Sequence, residues 1–200
     1  MVEKYNREAE LKERFNQFIS SKVTGENKDY YSKLSIEDFV DIKTTLSDIN
    51  NIITYKTTIR FMDWLREYFS YVDANYQVYM DEVLGTKPSG NGYDIMITGD
   101  VNILAEIKCN KPINNGYKFG SAQRNGILKD IQGLLEGKSK VNFDQNIAYK
   151  FLVIYDFGEH TLKATEHLIK NIPLDYRGKV EFYVDQAQLT LDKVYIVFIK

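Results

Sequence analysis

Residues 94–108 constrain this chain more tightly than any other stretch. Two apolar runs, Asp94-Ile95-Met96-Ile97-Thr98 and Val101-Asn102-Ile103-Leu104-Ala105-Glu106-Ile107-Lys108, flank Gly99-Asp100. Both read as strands of a hairpin. Alternate residues of a strand face the same side. Ile95, Ile97, Ile103, Ala105 and Ile107 therefore form one apolar set, and Asp94, Met96, Leu104, Glu106 and Lys108 form the other. A two-residue turn at Gly99-Asp100 pairs Asp94 with Ala105 and mixes the sets. A three-residue connection, Gly99 to Val101, pairs Asp94 with Glu106 and keeps them apart. A one-residue slip flips every side chain, so the pattern predicts an odd-length turn or a bulge at Gly99.

That register joins two carboxylates and an ammonium at the ends of adjoining strands. Asp94 and Glu106 supply hard oxygen ligands of the kind Mg²⁺ prefers, and the Ile107 carbonyl is a further candidate. A metal ion held there lowers the pKa of water and stabilises charge on a phosphate. Lys108 would orient the attacking water or neutralise developing charge. The constellation points to metal-dependent cleavage of nucleic acid; ordinary salt bridges on a surface hairpin are the alternative.

The rest of the chain supplies a frame. Residues 3–22 carry Leu11, Phe15, Phe18 and Ile19 at helical spacing. Ser35-Ile36-Glu37-Asp38 reads as a helix start with Ser35 as N-cap and Asp38 reaching back. Ile36 to Ile53 marks one helical face, and a further helix covers 58–72. Tyr76-Gln77-Val78-Tyr79-Met80 reads as a strand, and Thr86 to Gly92 as a loop. Beyond the hairpin, a loop over Asn110–Gly120 leads to a helix over 121–136, weakened by Gly126 and Gly133. The apolar run Phe151–Tyr155 reads as a central strand. A helix near 161–171 and strands near 180–184 and 194–199 follow. Strands joined by a crossover helix imply an α/β fold, a mixed central sheet flanked by helices. We expect one domain over 1–200: a helical extension at 1–55, a core at 58–156, and a C-terminal helix and strands at 157–200.

This arrangement resembles the PD-(D/E)xK nuclease superfamily, on Asp94, Glu106 and Lys108. The resemblance spans residues 58–156 and implies a restriction-endonuclease-like αβββαβ core. It implies Mg²⁺-dependent hydrolysis of phosphodiester bonds in DNA, in restriction or related defence. A repair or recombination nuclease on structured DNA, and a non-catalytic nucleic-acid- or protein-binding member of the fold, are the alternatives. Tyr93 stands where the family often has proline. Members often carry a further acid upstream, and Glu67 and Glu82 are the candidates here. Ile127, four residues after Gln123, departs from the Gln and Tyr pattern of exonuclease-like members.

Net charge is -2, yet Glu106 to Lys140 holds seven basic and three acidic residues, so a local +4 sits on a remainder of -6. Such a face suits phosphates, and Lys111, Lys118, Gln123, Arg124 and Lys129 are candidate DNA contacts. A homodimer would supply two sites for two strands. His160 and His167, seven residues apart, are set aside as ligands of one metal. No run is apolar enough to span a membrane, the first residues are too polar for a secretory signal, and Cys109 is the single cysteine. These features lead us to expect a cytoplasmic setting.

Overall fold

The structure is a computed structural model that describes residues 5–85, 92–113 and 116–200. The expected loop at Thr86–Gly92 therefore lies, apart from Gly92, outside the described residues, as do Asn114 and Asn115 of the later loop. The chain divides into two compact units, Met1–Ile49 and Asn50–Lys200.

In the first unit, α1 (Arg7–Ile19) opens at Asn6, whose side chain accepts the Ala9 N–H at 3.1 Å. Asn16 organises the turn that follows. Its side-chain oxygen accepts the N–H groups of Tyr30 and Tyr31, each at 2.9 Å, and its amide donates to Asp29 at 3.0 Å. The rings of Phe15 and Tyr31 pack on Phe39 at 5.2 and 5.5 Å. α2 (Ile36–Tyr68) begins here with the reciprocal cap read from the sequence. The Asp38 N–H donates to Ser35 Oγ at 3.1 Å, and the Ser35 N–H donates to Asp38 Oδ2 at 2.8 Å. Two helices were expected across 36–72. One continuous helix runs to Tyr68 because no Gly or Pro interrupts it, and the short α3 (Ser70–Ala74) follows.

In the second unit the stretch expected as a strand at 76–80 is instead the start of α4 (Tyr76–Gly85). Tyr79 and Met80 are neighbours and both buried, which a strand facing one layer does not allow; with Val83 they form a helical stripe. The residues after Met80 carry that period, so the five-residue window misled. The first strand of the expected αβββαβ core is therefore a helix, and among the described residues two strands precede the crossover.

Those strands are β1 (Ile95–Ile97) and β2 (Ile103–Lys108). They are followed by α5 (Ser121–Glu136), β3 (Tyr149–Tyr155), α6 (Glu159–Lys170), β4 (Val180–Phe182) and β5 (Val194–Ile199). The chain is thus α/β with a mixed five-stranded sheet, in the order β1-β2-β3-β5-β4. β1 runs antiparallel to β2, and the other pairings are parallel. Among the described residues no helix is long and apolar enough to cross a membrane.

Ile95 pairs with Ala105, Met96 with Leu104 and Ile97 with Ile103, which is the register the sorting of side chains demands. One face of the sheet carries Ile95, Ile97, Ile103, Ala105 and Ile107, packed with Phe61, Met62, Leu65 and Val83 of α2 and α4. The other face carries Leu104, Leu152, Ile154 and Ile196 under Ile127, Ile131 and Leu134 of α5 and Leu168 of α6. Lys150, buried on β3, donates to the carbonyl oxygens of Ala148 and Leu191, and burial pushes its pKa down.

Phe61 is fully buried and stacks on Trp64 at 5.3 Å. Phe61→Ala should cost about 3–5 kcal/mol in urea denaturation with an unchanged m value. Leu162→Ala, at a side chain 43% exposed on α6, should cost under about 1 kcal/mol.

Candidate functional site

β1 begins only at Ile95, and the site follows from that. Ile107 on β2 lies beyond Ala105, the partner of the first β1 residue, with its N–H directed to the side where β1 has not yet begun. Asp94, just before β1, fills the gap: its Oδ2 accepts the Ile107 N–H at 2.7 Å. In a strand the N–H and C=O of one residue point the same way, so the Ile107 carbonyl is directed to the Asp94 side as well. The continuing register sets Asp94 across from Glu106.

Glu106 is only 3% exposed, on the sheet face that α5 covers. Burial, reinforced by the Asp94 charge, raises its pKa from 4.5 to about 7, against the pull of Lys138. The Lys138 ammonium is in direct contact with Glu106 Oε1. Lys108, on the same strand face as Glu106, pairs with Asp130 of α5 at 2.7 Å. Burial alone would lower the Lys108 pKa; attraction to Asp130, and beyond it to Glu106 and Asp94, outweighs that and holds it above its ordinary value.

Lys138 reaches the site from just past α5. Gly137 sits at φ 88, a left-handed conformation that suits glycine, and a Cβ there would stand 2.8 Å from Gln145 Oε1. The Lys138 Nζ donates to the Gly92 carbonyl at 2.8 Å and lies 4.8 Å from the centre of the Tyr93 ring. Tyr93 is buried and its O–H donates to the Gly133 carbonyl at 2.8 Å. Tyr93 thus ties the entry to Asp94 onto α5.

Two clefts meet at Gly92 and Lys140. One, of about 670 Å³, is lined by Lys129, Asp130, Glu136, Lys138 and Lys140. The other, of about 580 Å³, is lined by Glu82, Tyr93, Asp94, Met96 and Lys140. Asp94, Ile107 and Lys108 also border a third, of about 350 Å³, with Thr54, Thr58 and Leu84. Glu82, on α4, therefore shares a cleft with Asp94. Glu67 is exposed near the end of α2 and lines none of these three.

The candidate DNA contacts fall into two groups. Lys129 lies with Lys138 and Lys140. Lys118 and Arg124 line a separate small cleft with Ser121 and His167 at the start of α5. Arg124 is about 9 Å along the helix axis from Asp130. Gln123 is engaged locally: its Oε1 accepts the Gly120 N–H at 2.9 Å and its amide donates to the Lys111 carbonyl at 3.4 Å. It caps α5, and Lys111 itself is exposed. His160 closes over Gly116, where a Cβ would stand 2.2 Å from its ring.

Sequence reasoning did not assign Asp130, Lys138 or Tyr93 to the site. Lys138 and Asp130 counted only as charges in the basic stretch. Their partners lie far away along the chain, and no spacing rule joins them. Gly133 was read as a helix weakness, whereas it clears room for the Lys138 stem.

Among the described residues, no group of three or more His, Cys, Asp and Glu side chains is arranged to hold a metal ion. Mg²⁺ needs less: one or two carboxylates, with water and phosphate oxygens completing the shell. The Asp94 and Glu106 carboxylates and the Ile107 carbonyl are oxygen donors of the type Mg²⁺ takes. Compared with family models, with curated proteins and with solved structures, the chain has no match.

The raised Glu106 pKa has a direct consequence for stability. The folded chain holds this proton more tightly than the unfolded chain between pH 4.5 and about 7. Stability therefore falls as pH rises through that window and levels off above it, with a contribution on the order of 3 kcal/mol. Glu106→Gln should flatten that slope and be more stable than the parent above pH 7. Urea denaturation across the window checks both; a Glu106→Gln chain that keeps the slope would assign it to another group.

Proposed function

We propose that this chain is a Mg²⁺-dependent deoxyribonuclease with a restriction-endonuclease-like core, cutting DNA in restriction or a related defence in the cytoplasm. The observation behind the proposal is the opposition of Asp94 and Glu106 where β1 begins, with Lys108 following on the Glu106 face. In this reading the core has the family's hairpin, crossover helix and parallel strand, with α4 in place of the first strand.

Asp94, Glu106 and the Ile107 carbonyl would hold the ion. When bound, Mg²⁺ supplies an activated water and stabilises charge on the phosphate. Lys108 has a separate task. Asp130 fixes its ammonium beside the carboxylates, where it can orient a water or balance negative charge on a phosphate oxygen. Glu82 is the better placed of the two upstream acids, because it lines the cleft that Asp94 enters. Lys129 and Lys140 offer positive charge in the neighbouring cleft. Lys111, Lys118 and Arg124 would meet the DNA backbone further along. A homodimer would bring a second site to the second strand.

A second reading, a non-catalytic binding member of the same fold, draws on one observation: Glu106 and Lys108 are each already paired, with Lys138 and Asp130. Incubation of purified protein with duplex DNA and Mg²⁺ separates the two. The catalytic reading expects cleavage that chelation of the metal abolishes. Asp94→Ala and Lys108→Ala should slow it by about 10²-fold or more. DNA left intact under every metal condition, or cleavage indifferent to both substitutions, sinks it. Preference for branched over linear duplex would point to repair or recombination.

A further inference from the structure

Lys138 is held on several sides. Its ammonium touches Glu106, donates to the Gly92 carbonyl at 2.8 Å and lies 4.8 Å from the centre of the Tyr93 ring. Its stem crosses Gly133, where a Cβ would stand 3.1 Å from Cε and 3.2 Å from Cγ. Two glycines, a tyrosine and a helix end thus combine to deliver one positive charge to one buried carboxylate. It is the same carboxylate that the nuclease reading gives to Mg²⁺.

We infer that Lys138 is an exchangeable counter-ion for Glu106: its ammonium occupies the carboxylate while no divalent cation is bound, and yields it when one binds. The inference rests on the Mg²⁺ reading above. A buried carboxylate without a partner is costly, so the metal-free fold needs a cation at Glu106. An ammonium and a divalent ion compete for that charge and repel each other. The ion is favoured because Asp94 serves it as well, while the lysine has a flexible stem on which to leave. The cleft it already lines, with Lys129 and Lys140, suits an ammonium drawn toward phosphates.

Titration calorimetry with Mg²⁺ and Mn²⁺ on the full chain, without DNA and well above pH 7, tests this. Lys138→Met should bind the cations about ten-fold more tightly than the parent, while its metal-free melting temperature falls. Gly133→Ala keeps the lysine, presses on its stem and puts a better helix former in α5. It should shift binding in the same direction by a smaller factor, and it decides the matter if Lys138→Met does not fold. A lysine that only braces Glu106 predicts binding unchanged or weaker in both variants, and that result overturns the exchange. If neither the parent nor the variants bind a divalent cation, the Mg²⁺ reading itself fails and the exchange with it. Equal binding by all three sinks the exchange alone.

Discussion

A carboxylate removed from water has to be neutralised, and Glu106 imposes that requirement on everything near it. It is sealed between β2 and α5, with the Asp94 charge close by. The chain answers with a lysine that arrives from the far end of α5. Gly137 turns the backbone, Gly133 makes room for the stem, and Tyr93 gives the ammonium a ring to rest beside. A second pair, Lys108 with Asp130, repeats the arrangement one step along the strand. Two ion pairs thus join β2 to the α5 region. A proton near neutrality is a further answer to the same burial, which is why the Glu106 pKa stands so high.

The sheet decides where this cluster stands. β2 and β3 run parallel, while β1 runs antiparallel and stops after three residues. The start of β1 and the carboxyl ends of the parallel strands therefore meet at one edge. In open α/β sheets this is the end where ligands bind, because strands stop there and loops open. The short β1 also leaves the Ile107 N–H without a strand partner, and a carboxylate takes it. The same geometry directs a backbone carbonyl toward that carboxylate. Exposed Asp94 and buried Glu106 form an unequal pair: one can receive a ligand from solvent, and the other holds charge at the sheet.

Much of the fold was legible. The sorting of five apolar residues against Asp94, Glu106 and Lys108 required one register, and β1 and β2 adopt it. The reciprocal cap of Ser35 and Asp38 was legible because it is made within one turn. Tyr76–Met80 was not, because aromatic and β-branched residues suit strands and the helical period emerges only with Val83. The continuity of α2 was missed because a drift in the apolar stripe looks like a break, although nothing in the residues stops the helix.

The sequence by itself determined which residues share a strand face, and so which charges could meet at the hairpin end. That follows from alternation, a local property of the backbone. Only the tertiary structure decided what those charges meet. The Lys138 and Glu106 pair, the Lys108 and Asp130 pair, and the Tyr93 anchor on Gly133 each join a residue at the hairpin to the α5 region. Their partners are chosen by how α5 lies on the sheet. That packing is set by Ile127, Ile131 and Leu134 against Leu104 and Leu152, apolar contacts that carry no mark of the polar pairs they bring together.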